Sequence, residues 1–366
     1  MDFTLSDEQQ ELARTIASFM EKRSPEREVR RLMAQGAAAD PVVWTELAGP
    51  LGMAGLVIGE QYGGGGFGYR DLALVLEQSG AALLVAPLLS TVTAAAALAL
   101  AEDDELKAAQ LPALASGTKI ATLALAEASA TWDTSATNTF VDRSSAKATI
   151  TGTKMYVVDG QFADLLVVSA HSDGEVGLYL VDARGPGVSC SPLDTLDPTR
   201  AQARIEFDGA PARTVCTGEA VDRVLAIAGV LLAAEQVGGA QRCLDMAVEY
   251  AKVRVQFGRP IGSFQAIKHK CADMLIDVES ARSAVYFAAA VVDDESQSPW
   301  VAAAVAQAHC SAAYTRAAAE NIQIHGGIGF TWEHPAHLYF KRAKTSELLY
   351  GDPAKHRARL ADLVGI

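Results

Sequence analysis

Positive charge is in short supply in this 366-residue chain. Its 31 lysines and arginines face 44 aspartates and glutamates, a formal net charge of -13. Nucleic-acid binders carry a basic face, and this balance predicts none. No apolar run is long enough to span a bilayer without interruption. The opening stretch MDFTLSDEQQEL has neither the basic leader nor the apolar core of a signal peptide. Five cysteines (Cys190, Cys216, Cys243, Cys271, Cys310) are scattered, odd in number and free of C-x-x-C spacing. They predict free thiols in a reducing cytoplasm, with no disulfide and no metal site. The glycines Gly63–Gly66 lack a following Lys-Ser/Thr, which excludes a P-loop. Aromatics make up only 7% of the chain.

What remains is 50% hydrophobic and rich in alanine and leucine, a composition that favours helices around substantial cores. Residues 1–117 read as an N-terminal helical domain. Ser6 is placed as the cap of a first helix whose Leu12, Ile16 and Phe19 recur at helical spacing, and Asp71 as the cap of a helix after the glycine run. Over 118–218 the apolar period falls to two, in KATITGTKMYVV, ADLLVVSAH, VGLYLVDA and AQARIEFDGA, which predicts a small antiparallel β domain. From 219 to 366 the chain is helical again. One helix runs more than thirty residues, and another starts at a Ser263 cap with Ile267, Cys271, Met274, Val278 and Ala281 on one stripe. Alanine on several faces of the third predicts a C-terminal four-helix-type bundle. The class is α+β, mostly α.

Two glycine-bearing segments flank the bundle helices: VRVQFGRPIGSFQ (253–265) and NIQIHGGIGF (321–330). With EQYGGGGFG and GTKMYVVDG in order before them, the whole chain resembles the acyl-CoA dehydrogenase family. The resemblance implies FAD as cofactor, an acyl-CoA thioester as substrate, and a carboxylate that takes the α-proton while hydride leaves Cβ. It implies a tetramer in which one subunit's bundle meets the adenine and pyrophosphate half of a neighbour's FAD, and a flavoprotein that accepts the electrons. Matched residue by residue, that donated half is present. Arg254 suits the pyrophosphate, Phe257 and Gly258 shape a turn, Gln265 helps hold the cofactor, and Gln323, Gly326 and Gly327 approach the adenosine.

The flavin-ring half departs from the family. In place of a loop like T-E-P-G-S-G-S-D stands LALAEASATWD, with Glu127, Ser129 and Asp133 as remnants. In place of K-M-W-I-T-N-G stands Lys154 to Gly160, where Tyr156 can stack on a ring but Val158 cannot donate a hydrogen bond. Gly351 and Ala228 occupy the two positions where family members carry the base. Asp352, one residue further on, and Glu235, two helical turns after Ala228, are the weak substitutes. Against these roles, Glu235 pairing with a cation and Asp352 capping the last helix are the plainer expectations. His325, His334 and His337 cluster without an acidic or thiol partner at ligand spacing, so a metal is not expected.

The losses have a direction, towards a subunit that completes FAD sites beside a homologous catalytic subunit in a heterotetramer on bulky or sterol-derived acyl-CoA. The alternatives are a self-sufficient homotetramer using Glu235 or Asp352, and a flavin-free structural homologue.

Overall fold

A computed structural model describes residues 4–37, 39–129, 132, 134–144, 148–294 and 296–366. The predicted Ser6 cap is formed. Its hydroxyl accepts the Gln9 N–H while the Gln9 side chain accepts the Ser6 N–H, a capping box that opens α1 (Asp7–Arg23). Helices α2 (Glu26–Met33), α3 (Pro41–Ala48), α4 (Tyr69–Ala81), α5 (Leu88–Ala99) and α6 (Asp104–Ala115) follow. Asp71 lies inside the first turn of α4 and accepts from Gln9 Nε2 at 2.9 Å. The cap of α4 is instead the carboxylate of Asp293, which accepts the N–H groups of Tyr69 (2.6 Å) and Arg70 (3.2 Å). A helix N-terminus takes any carboxylate that reaches it, and this one comes from far along the chain.

The strands are β1 (Ala121–Ala124), β2 (Phe140–Asp142), β3 (Thr149–Val158), β4 (Leu165–Ser172), β5 (Glu175–Asp182), β6 (Val188–Leu193) and β7 (Gln202–Thr217). They join in one sheet of order β1-β4-β2-β3-β7-β5, with β6 on β7, and β4 also pairs β5 so that the sheet closes on itself. Most pairs are antiparallel, but β1 and β2 both join β4 in parallel. The alternation of apolar residues reports which face is inward and not which way a neighbour runs, so that detail lies outside the pattern. Inward positions such as Ile150, Val168, Tyr179, Ile205 and Phe207 form the core of the sheet.

Helix α7 (Glu219–Val253) is 35 residues long. After it come the two-residue strands β8 (Val255–Gln256) and β9 (Arg259–Pro260), then α8 (Gln265–Asp293), α9 (Trp300–His325), α10 (Ala336–Leu348) and α11 (Pro353–Val364). Helix α8 begins at Gln265 and not at a Ser263 cap. Ser263 sits in the preceding 3-10 turn, its hydroxyl bonded to the Pro260 carbonyl at 2.7 Å. Met274, Val278 and Ala281 of the expected stripe are buried, and Ile267 and Cys271 half-buried.

The chain divides into two compact units that do not follow chain order. One gathers Met1–Arg31, Tyr69–Leu84 and Gly229–Ile366, and the other Leu32–Gly68 and Val85–Ala228. In the first, α4 crosses α7 at glycines. A Cβ on Gly80 would stand 1.9 Å from the Glu235 carbonyl oxygen, and one on Gly238 1.7 Å from that of Glu77. Neither helix tolerates a side chain at the crossing, which accounts for glycine inside two helices despite its cost there. In the second unit α5 packs across β1, β4 and β7. Among the described residues no helix is long and apolar enough to cross a membrane.

Candidate functional site

In the bundle, α7 runs to the β8–β9 hairpin, α8 runs back from it, and α9 returns, so the C-terminal ends of α7 and α9 lie with the N-terminal end of α8. One contact locks this end. The Tyr250 ring of α7 stacks on His325 of α9 with centroids 4.3 Å apart, and His334 lies against His325 at 4.1 Å. His325 is further fixed by Nδ1, 2.8 Å from the Asn321 carbonyl. Arg254 is four residues beyond Tyr250, and Gly326 directly follows His325. The stack thus brings the two glycine-bearing segments to one place. Nothing in the isolated motifs pointed to it, and a tyrosine one turn before Arg254 is the only sequence hint.

At this end exposed polar side chains and bare glycines lie together. Arg254 is exposed and its side chain forms no ion pair among the described residues. Phe257 (φ 49°) and Gly258 (φ 77°) form the two-residue turn of the β8–β9 hairpin. Two successive positive φ values are what such a hairpin requires, and a phenylalanine holds one of them under strain. The Phe257 side chain is 92% exposed, braced edge-on by Phe264 at 6.1 Å. Gln265 and Gln323 are exposed on the first turn of α8 and the last turn of α9. Open space lies where a Cβ would stand on Gly326 or Gly327, so a ligand can approach the backbone there.

The three histidines are part of the same frame. His337, 7% exposed, packs edge-on to Trp332 at 4.6 Å, and Lys341 lies over that indole at 4.5 Å. Among the described residues no group of three or more His, Cys, Asp or Glu is arranged to hold a metal. Burial, with the charges of Lys341 and Arg30 adding to it, pushes His337 down to about 4. Burial likewise lowers His325 and His334. A histidine whose folded pKa is depressed stabilises above its unfolded value and loses that contribution as pH falls. Denaturation midpoints are therefore expected to drop between about pH 6.5 and pH 4. In His337→Gln the pH dependence over that window should be shallower by up to about 1.4 kcal/mol per pH unit. An unchanged slope would mean that His337 does not titrate with folding.

In the sheet-bearing unit, strand β3 carries the GTKMYVVDG stretch. Lys154 shares the inward parity of Ile150, a signal legible in the sequence, and is fully buried. Its ammonium has four acceptors within reach of its three N–H groups: the Leu125 carbonyl (3.1 Å), Glu127 Oε1 (3.0 Å), Thr137 Oγ1 (2.6 Å) and Ser169 Oγ (3.1 Å). Burial lowers it to about 8 against the pull of Glu127. Burial alone would raise the Glu127 carboxyl, but donors on Thr137, Asn138 and Thr139 and the Lys154 charge hold it well below the usual range. Glu127, expected as a motif remnant, is thus the clamp that ties Thr137, Asn138 and Thr139 to Lys154 of β3. Asp133 lies outside the described residues, and Ser129 is exposed. Removing the carboxylate in Glu127→Ala should cost about 2 kcal/mol by chemical denaturation. Lys154→Met should cost less, because Glu127 keeps its backbone donors. The reverse order would show that the carboxylate is not the centre of the network.

The register of β3 shifts between Lys154 and Val157, and Tyr156 (φ 57°) turns out of the strand there, half-buried. Past it, Thr122 Oγ1 donates to the Val158 carbonyl (2.6 Å) and Ser90 Oγ to Asp159 Oδ2 (2.6 Å). The Val158 side chain is buried and apolar.

The positions tied to proton abstraction are equally clear. Ala228 is buried and apolar. Gly351 (φ 113°) is in backbone space that side chains seldom adopt. Glu235 is 5% exposed and paired with Arg342, itself 3% exposed, at 2.9 Å. Asp352 is exposed and caps α11, accepting the Lys355 N–H at 2.8 Å. Each substitute carboxylate has the structural duty that the sequence also allowed.

Fold and motifs together define an acyl-CoA dehydrogenase family oxidoreductase. Residues 6–118 match the acyl-CoA dehydrogenase N-terminal domain and 219–364 the C-terminal domain, and the chain belongs to that family. It is 39% identical to the acyl-CoA dehydrogenase IpdE2 of Mycobacterium tuberculosis over 358 residues, 98% of this chain and 97% of that one. Among solved structures it resembles a variant of the Tcur3481–Tcur3483 steroid ACAD (TM-score 0.92, 31% identity, 99% of each chain). It also resembles the ChsE4–ChsE5 complex of M. tuberculosis (TM-score 0.92, 29% identity, 100% of this chain and 99% of that one).

Proposed function

We propose that this chain completes the FAD site of a homologous catalytic subunit in a heterotetrameric acyl-CoA dehydrogenase acting on bulky or sterol-derived acyl-CoA, with little activity alone. The observation that carries the reading is a contrast. The ligand-facing residues at the bundle end are unengaged and exposed, while Gly351 and Ala228 carry no carboxylate and Glu235 and Asp352 are committed elsewhere. The relatives named for a steroid ACAD and for a two-component complex support both the substrate class and the mixed assembly. Five free cysteines are consistent with a reducing cytoplasm.

FAD, when bound, supplies the two-electron chemistry of the reaction, and an acceptor flavoprotein takes the electrons onward. The residues here serve position and charge. Arg254 would grip the pyrophosphate as a fork, because a guanidinium matches two phosphate oxygens at once. Gln265 and Gln323 would add amide hydrogen bonds, and Gly326 and Gly327 would let the backbone close on the adenosine. Phe257 would cover the cofactor with an apolar ring already projecting from the hairpin. In this chain's own sheet, Tyr156 would face a flavin ring, and Val158 would offer it no hydrogen bond.

The test is to purify the chain alone and co-expressed with a homologous catalytic subunit, then measure FAD per chain and dye-linked acyl-CoA oxidation. A colourless, inactive chain and a yellow, active complex are expected. A lone chain that holds one FAD and turns over is a self-sufficient enzyme, and the reading fails. A complex without flavin is a structural homologue.

A further inference from the structure

A cavity lies wholly within the bundle unit, and none of the residues assigned to the cofactor lines it. It encloses about 340 Å³ between α1, α2, the end of α4, α7 and α10. That is the small end of the range for ligand pockets. Its walls are mixed: Met20, Val29, Leu83, Met246 and Leu338 give it an apolar part, Ser24, Gln78 and Tyr339 a polar one, and one guanidinium, Arg242, reaches it. Arg242 is half-buried and forms no ion pair among the described residues. A partly desolvated cation without a counter-charge is costly, and an anion at that spot removes the cost. Two carboxylates share the walls and neither supplies it: Glu26 is bound to Arg30 at 2.7 Å, and Glu21 is exposed, where water screens it.

The floor is held in shape. Leu83, 2% exposed, has φ 48°, a left-handed conformation that a leucine adopts at a cost of about 1–3 kcal/mol. The carbonyls before it are pinned from two sides, Ala81 by the Tyr339 hydroxyl (2.7 Å) and Ala82 by the Ser24 hydroxyl (3.1 Å). Arg242 lies beside that Tyr339 hydroxyl. The flanking bonds hold the strained Leu83 turn in place on the cavity wall.

We infer that this cavity binds an aliphatic carboxylate, with the hydrocarbon against Met20, Leu83, Met246 and Leu338 and the head group on Arg242. The inference is independent of the cofactor reading. The experiment is calorimetric titration of the co-expressed complex, and of the lone full-length chain, with decanoate and with decanol. Decanoate is expected to bind once per chain, at least tenfold tighter than decanol. Arg242→Gln should lose at least tenfold in decanoate affinity and leave decanol unchanged, and Arg242→Lys should fall between. Met246→Trp, which fills the space from the apolar side, should abolish both. Acyl-CoA oxidation by the complex should be unaltered in all three variants. Equal affinity for decanol, or full decanoate affinity in Arg242→Gln, overturns the assignment. So does decanoate that competes with acyl-CoA, which would place it in the substrate site. Binding to the lone chain that vanishes in the complex would show a neighbouring subunit seated in the cavity, and also overturns it.

Discussion

Arg254→Ala is expected to strip FAD from the assembled complex while leaving this chain folded. A bidentate, charge-assisted contact to a pyrophosphate is worth about 3 kcal/mol, roughly 150-fold in Kd. The guanidinium is exposed and forms no ion pair among the described residues, so the thermal midpoint of the isolated chain should move little. Arg254→Lys should recover only part of the affinity, because an ammonium keeps the charge and loses the planar fork. Equilibrium dialysis of FAD against the complex separates these cases. Wild-type retention in Arg254→Ala would remove the arginine from the cofactor site, and with it the strongest support for a donated half-site.

Glu235→Ala should be the most destabilising substitution in the bundle. It leaves the Arg342 charge buried at 3% exposure with its 2.9 Å partner gone. Breaking such a pair from one side costs about 3–5 kcal/mol. Replacing both partners by apolar residues of similar volume, Glu235→Leu with Arg342→Met, should restore most of that loss, since the desolvation penalty disappears with the charges. Urea denaturation of the four corners of the cycle gives the coupling directly. The same variants report on chemistry. If Glu235→Gln abolished turnover of the complex with stability preserved, the carboxylate would be a base and not a structural partner.

These two positions also show what a sequence discloses. Ser6 and Gln9 are three residues apart, so their capping box is visible as text. So is the alternation that sends Ile150 and Lys154 to the same face of β3. The order of helical, strand-rich and helical segments needs only local periodicity, and it follows the chain closely. The contacts that failed to show are those between distant residues. Asp293 caps α4 from a sequence separation of 224 and displaces Asp71 from that role. Arg342 meets Glu235 across 107 residues, and Tyr250 finds His325 only once α7 and α9 are packed. The parallel joins of β1 and β2 to β4 belong to the same class. At the candidate site the glycines and Arg254 were legible as motifs. The stack that gathers them was not, because an aromatic residue in a helix reads as ordinary core.

The hairpin apex has a consequence for how the protein exists in a cell. Phe257 is 92% exposed, and Val253, Phe330 and Trp332 in the same bundle unit are 74%, 79% and 63% exposed. Where such side chains adjoin they make an exposed apolar patch, the mark of a surface that a partner covers. A molecule newly released from the ribosome therefore displays the features by which chaperones and proteases recognise an orphan. Its lifetime should depend on how soon a companion covers them, and surplus copies should be degraded. The abundance of this chain would then follow the supply of its companion more closely than its own rate of synthesis.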